Sequence, residues 1–316
     1  MTLSFVSISL LSLYSAMAVY TLAFVAFTVD LARRSAVTPA SSSPYVEASA
    51  SAAGRATALL ERVVTEAPGR SRAVRIAFAL TVIGWVLHAA AALFRGLAAG
   101  RVPWANMFEF SLTATAIIVG VFLAIQFWQD LRFLGAYIVG FALIVLGVAT
   151  VNFYVDVVPL PPALQSAWLV IHVFVAVLGT SFFALGAGLS VTQLLQARRE
   201  AGRPAPGFLA TLPSAEKLEN LAFRVIVIGF VFWTFTLIAG AIWASRAWGR
   251  FWGWDTKEVW TFIIWTLFAG YIHARATRGW RGSRSAWLAI IGFSAVLFNF
   301  TVVNLFFKGL HAYSGL

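Results

Sequence analysis

The chain has 316 residues, 60% of them hydrophobic and 11% charged, and its mean hydropathy is +0.85. That composition excludes a soluble globular domain and points to an integral membrane protein. The net charge of +11 does not signal nucleic acid, because the cations are distributed as a membrane topology demands; the absence of cysteine excludes a disulfide, a thiolate metal site and thiol redox chemistry within this chain.

Eight apolar runs are predicted to cross a bilayer as helices, each about 20 residues or longer. They lie at roughly 4–31, 73–95, 108–129, 132–154, 166–195, 221–244, 257–275 and 285–307. The fold class is therefore all-α and polytopic. The first run lacks a basic n-region, is too long for a cleavable signal and runs directly into Arg33 and Arg34, so residues 1–34 read as a membrane helix. Residues 35–72 form a linker whose 35–70 stretch is rich in Ala and Ser with little apolar periodicity; it reads as cytoplasmic and largely disordered, with room for one short helix near 53–64. Residues 73–316 make up the membrane domain. A second inside loop, 200–218, carries Pro204, Pro206 and Pro213. There is no internal repeat and no separate soluble domain.

Orientation follows from the Lys/Arg bias. Seventeen of the 23 Lys/Arg fall in the connections after the first, third, fifth and seventh spans. The other six are Arg95, Arg101, Arg246, Arg250, Lys257 and Lys308. Both termini are thus predicted to face outward, together with the loop between the sixth and seventh spans.

That loop is the most informative segment. Trp248, Trp252, Trp254 and Trp260 fall within thirteen residues, interleaved with Arg250, Asp255, Lys257 and Glu258. Trp gathers at membrane interfaces because its ring is apolar while its N–H needs a partner. A belt of anchors would scatter such rings over many helix ends, whereas one Gly-jointed loop builds an apolar platform rimmed with charge. A platform of that kind suits a large planar ligand with acidic edges, and haem is the leading candidate.

The four histidines are His88, His172, His273 and His311. His172 lies early in the fifth span, after the turn Pro159-Leu160-Pro161-Pro162, and His311 follows the eighth; both are expected at the outer face, bracketing the Trp loop in sequence. His273 lies sixteen residues beyond Lys257, or ~24 Å inward at 1.5 Å per residue. Haem iron can be held by imidazoles on both faces of the ring. His172 and His311 are accordingly candidate catalytic and iron-binding residues, although any one such histidine could instead be a polar group bonded between helices. For His88 the structural role is favoured. Arg246, Arg250 and Lys257 are either solvated cations or partners for haem propionates. Asp255 and Glu258 suit the start of the seventh helix, where carboxylates favour the N-terminus, and that role for Asp255 stands beside contact with the ligand. In the outward loop Arg101–Glu109, Pro103 and Asn106 suit a turn into the third span, with Glu109 in its first turn.

On these residues the chain resembles the CcsA/ResC type of system II cytochrome c biogenesis protein, within the WWD haem-handling superfamily. Trp248-Gly-x-x-Trp252-x-Trp254-Asp255-x-Lys257-Glu258 resembles the family's Trp-rich motif, and Pro103-x-x-Asn106-x-x-Glu109 its loop before the third span. Pro161 through His172 and Asn304-Leu-x-x-x-Gly309-Leu310-His311-x-Tyr313 resemble its two external histidine segments. Tyr271-Ile-His273-x-Arg275, with Gly279-Trp280, resembles the segment of its membrane-embedded histidine. Thr256, Val302 and Ala312 depart from the expected Pro, Gly and Ser, and none removes a ligand or a ring.

The resemblance implies a multi-pass protein of the bacterial plasma membrane that works with a ResB/CcsB-type membrane partner as a cytochrome c synthase. Haem b would pass outward and be joined to the two cysteines of an apocytochrome c CxxCH segment, kept reduced by a separate thioredoxin-like protein. His172 and His311 would hold the iron, while Trp248, Trp252, Trp254, Trp260, Asp255, Arg250 and Lys257 hold the macrocycle and its propionates. His273 would be half of an inner haem site whose mate lies on the partner. Catalysis would be mainly positioning. The alternatives are a system I haem-delivery protein, a transporter that binds no haem, and a di-haem electron carrier. Histidines at unequal depths argue against the last, and spans almost free of internal charge argue against a transporter.

Overall fold

A computed structural model describes residues 4–36, 71–277 and 279–311. The linker, with the short helix expected near 53–64, lies outside the described residues. Those described form helices and connecting loops without β-strands: α1 (Phe5–Ala36), α2 (Arg72–Ala99), α3 (Met107–Ile125), α4 (Gly135–Asn152), α5 (Ala167–Glu200), α6 (Ala215–Trp248), α7 (Thr256–Thr277) and α8 (Ser283–Phe298). A π turn, Asn299–Val303, and a final helical turn, Asn304–Phe306, continue α8. Several boundaries follow from capping chemistry. The hydroxyls of Ser71, Ser166 and Ser214 accept the first orphan N–H groups of α2, α5 and α6. Gly100 and Gly249 close α2 and α6 in the left-handed conformation, which glycine adopts without steric cost.

Among the described residues, seven helices are long and apolar enough to cross a membrane, so the chain is a multi-pass membrane protein. The apolar runs in the sequence predict eight spans. The difference is α7, whose 22 residues include Trp260, Trp265, His273 and four threonines and are therefore less apolar than the rest.

Two antiparallel hairpins, α1–α2 and α5–α6, make the closest helix pairs, with α3 and α4 between them and α7 and α8 on the far side of α5–α6. One apolar core joins α1 to α6 through Leu13, Tyr20, Phe27, Phe122, Ile138 and Leu185. A second joins α5 to α8 and includes Phe183 stacked on Phe268 at 3.6 Å between centroids. The two ends of the bundle are distinct. At one, Ser35 at the end of α1 accepts the Phe208 N–H at 3.1 Å, and Arg275 of α7 binds Glu219 at 2.7 Å and Asn220 at 2.7 Å on α6. At the other, the loops 101–106, 153–166 and 249–255 converge with the segment after α8.

That second end is fastened by a buried ion cluster. Glu109, fully buried, accepts from Arg95 Nε at 3.1 Å and Arg101 Nη1 at 2.6 Å, and also from the Ala105 N–H. Arg95 and Arg101 in turn donate to the carbonyls of Val155 and Val158, which ties the loop leading to α5 onto α2 and α3. The sequence placed Glu109 in the first turn of α3 but gave no sign that two arginines enclose it. Removing one member of a buried pair leaves an uncompensated charge, costing about 3–5 kcal/mol. Glu109→Gln is expected to destabilise the protein on that scale, read as a lowered unfolding midpoint in detergent or nanodiscs.

Candidate functional site

The Trp loop takes its shape from the ends of α6 and α7. After Gly249 the chain turns sharply, and Trp254 adopts φ +58°, a left-handed conformation uncommon for a residue with a β-carbon. Glu258, in the first turn of α7, holds the turn: its Oε2 accepts the N–H of Gly253 at 2.8 Å and of Asp255 at 3.1 Å. This is the reaching-back half of a capping box. Arg250 Nη1 lies 4.0 Å from the same Glu258 oxygen.

The Asp255 side chain, immediately before α7, meets the segment after α8. It accepts the Nδ1–H of His311 at 2.6 Å. That bond, together with contacts to backbone amides, holds the Asp255 carboxyl below the usual carboxylate range despite partial burial. Lys257 donates to the Asn304 side-chain oxygen. Asn304, at the end of the π turn, donates onward to the Phe300 carbonyl at 2.8 Å. The tail carrying His311 is thereby anchored to the loop through both Asp255 and Lys257.

His172 sits in the second turn of α5. Its Nδ1 lies 3.0 Å from the Thr236 carbonyl oxygen of α6; a carbonyl can only accept, so Nδ1 carries the proton. His311 likewise commits its Nδ1–H to Asp255. Each ring is left with Nε2 as the nitrogen available to a ligand. The imidazoles meet at one indole: Trp243, 2% exposed, stacks with His172 at 5.8 Å and 21° and receives His311 edge-on at 5.4 Å and 71°. Trp248 packs against the same His311 ring at 4.8 Å and 72°.

His172, His311, Trp243, Trp252, Trp104 and Lys257 belong to the wall of a single cavity of about 650 Å³, which extends between α3, α4, α5, α6 and α8 and is otherwise lined mostly by apolar side chains. Its size falls within the roughly 300–1,000 Å³ of small-molecule and cofactor sites.

The remaining residues singled out from sequence are placed differently. Of the four loop indoles, only Trp252 lines the cavity. Trp254 is 78% exposed and meets Trp252 edge-on at 5.8 Å. Trp260 packs on Phe298 at 4.4 Å. The reason is helical geometry: Trp248 closes α6 and Trp260 lies one turn into α7, so their directions are set by those helices. Arg246 lies over the Trp168 ring at 5.9 Å. His273 is exposed near the far end of α7, sixteen residues from Lys257 and so ~24 Å along the helix. His88 is fully buried outside the cavity, donating from Nε2 to the Leu112 carbonyl at 2.8 Å, with Nδ1 3.3 Å from the Tyr20 hydroxyl. Sequence reasoning missed Trp243 and Trp104. Trp243 stands inside an apolar span, where it reads as ordinary core, and its spacing of five from Trp248 was the available signal.

The family model for the cytochrome C assembly protein matches residues 104–311. The chain is 33% identical over 252 residues to the cytochrome c biogenesis protein CcsA of Trieres chinensis, covering 70% of this chain and 81% of that one. It is 32% identical over 281 residues to the CcsA protein of Porphyra purpurea, covering 77% and 85%. A solved structure of the cytochrome c haem lyase CcmF superposes with a TM-score of 0.64 at 16% identity; the match takes in 99% of this chain and 49% of that one, a likeness of fold. On the family match and the relatives together, this multi-pass membrane chain belongs to the cytochrome C assembly protein family.

Proposed function

We propose that this chain is the haem-handling subunit of a system II cytochrome c synthase, presenting haem b at the outer face of a bacterial plasma membrane for attachment to an apocytochrome c CxxCH segment. One observation carries the reading. Two imidazoles from distant parts of the chain reach a single apolar cavity, each with its Nδ1–H already bonded and its Nε2 free. Partners of that kind fix the tautomer and ring orientation of metal-ligating histidines. The residues present suit an iron porphyrin, which enters here as substrate.

In this reading His172 and His311 bind the iron, and Asp255 and the Thr236 carbonyl hold their rings. Trp252, Trp243 and the apolar walls of α3 and α4 exclude water from the macrocycle. Lys257 stands in the cavity wall and Arg250 in the adjoining Trp loop, as the cations for the propionates, to which charge-assisted bonds are strong. When bound, haem supplies two vinyl groups, each of which gains a cysteine sulfur and that thiol's hydrogen; the cysteines belong to the apocytochrome. The chain contributes orientation, since converting an encounter into a held geometry lowers a barrier without an acid or base from the protein. A ResB/CcsB-type membrane protein is the proposed partner, a thioredoxin-like protein keeps the client's thiols reduced, and His273 forms the inner haem site with a histidine of that partner. Outward orientation of the Trp loop rests on the Lys/Arg bias.

The test is to co-purify the chain with a ResB-like partner from haem-replete cells and record its spectrum. A Soret band with the low-spin pattern of two imidazole ligands, together with conversion of added apocytochrome, is expected. A colourless complex from porphyrin-supplemented cells would overturn the proposal and favour a membrane transporter.

A further inference from the structure

A glycine in the interior of a long helix calls for a reason, because only Pro is a poorer helix former. Gly240 lies between Ala239 and Ala241, well inside α6. A β-carbon there would stand 2.8 Å from His172 Cε1 and 2.9 Å from its Nδ1, closer than β-carbons approach other atoms in folded proteins. The same imidazole bonds to the carbonyl of Thr236, one turn before Gly240. That carbonyl is also the one the Gly240 amide addresses in the helical ladder. His172 thus rests against one stretch of α6, bonded to Thr236 and stacked on Trp243 of the same helix, and the missing side chain at 240 is what lets it come so near.

We propose that Gly240 is a positioning residue for His172: it sets the depth and tilt of the imidazole by leaving room for it against α6. The proposal rests on the reading that His172 binds haem iron. The atoms a β-carbon would meet belong to the end of a side chain and not to backbone, so a methyl at 240 is accommodated by moving the imidazole. Alanine also favours the helix. A defect in Gly240→Ala should therefore appear in the ligand and not in the fold. That separation distinguishes a seat for the imidazole from a packing role.

The experiment uses the haem-loaded complex with its membrane partner. Gly240→Ala is expected to assemble with an unfolding midpoint at or above that of the parent, to lose much of the low-spin signature, and to retain haem about 10–100-fold less well, the scale of losing an outer-shell partner of a metal-ligating histidine. Added imidazole should restore the low-spin spectrum. Gly270→Ala, the same exchange in α7 where no atom lies within 4 Å of the new carbon, should behave as the parent. In a His172→Gly background supplied with imidazole, adding Gly240→Ala should change nothing further. A parental spectrum and retention in Gly240→Ala would overturn the proposal, as would a defect that persists in the double variant. If His172→Ala itself kept the parental spectrum, the ligand assignment would fall, and the role of Gly240 with it.

Discussion

Replacing His172 or His311 by Ala is expected to remove the low-spin haem signature of the complex and to lower cytochrome c maturation by about 10²-fold or more, since even a 1 Å misplacement of a reacting group can cost ~10²-fold. The physical basis is the meeting of the two rings at Trp243: each is held by an Nδ1–H bond, and His88 and His273 lie outside the cavity and cannot replace either. The two sites should respond differently to changes behind the ligand. Asp255→Asn keeps a hydrogen-bond acceptor but removes the charge beside His311, so haem retention should fall about 10–100-fold while His172 is undisturbed. Stopped-flow transfer of haem to apomyoglobin, with resonance Raman of what remains, reads both effects. Equal haem retention in His172→Ala, His311→Ala and the parent would sink the assignment.

Replacing His273 by Ala is expected to abolish maturation while leaving the cavity near the Trp loop intact, and millimolar imidazole should restore it. The reasoning is geometric. His273 is exposed near the far end of α7, about 24 Å along the helix from Lys257, so it cannot share an iron with His172 or His311. It is also firmly placed: Arg275, two residues on, is locked to Glu219 and Asn220, and Glu219 accepts further bonds from the Gly282 N–H and the Ser285 hydroxyl. A histidine presented outward on so rigid a helix end suits a ligand supplied to a partner. Full maturation by His273→Ala without imidazole would remove the inner site and favour the system I delivery reading.

The α1–α6 spans were legible because a bilayer imposes long apolar runs, and Asn106 marks where the third begins. The Trp loop was legible because four indoles crowd one short charged segment, and the pair His172 and His311 because ionisable side chains are uncommon in membrane helices. Three features were not. The enclosure of Glu109 by Arg95 and Arg101 depends on how the start of α3 meets the end of α2, which no local pattern encodes. The closeness of Trp243 to both imidazoles depends on the angle at which α5 crosses α6. Of the four indoles in the Trp motif, the turn held by Glu258 brings only Trp252 to the cavity.

By itself the sequence determined an all-helical membrane chain, a Trp-rich loop and a short supply of candidate ligands, because hydropathy, chain length and residue chemistry are local quantities. Only the tertiary structure decided which nitrogen each histidine keeps free. That depends on a carbonyl from α6 and a carboxylate from the loop meeting rings 64 and 56 residues away in the chain, and hydrogen-bond partners at such separations are chosen by packing.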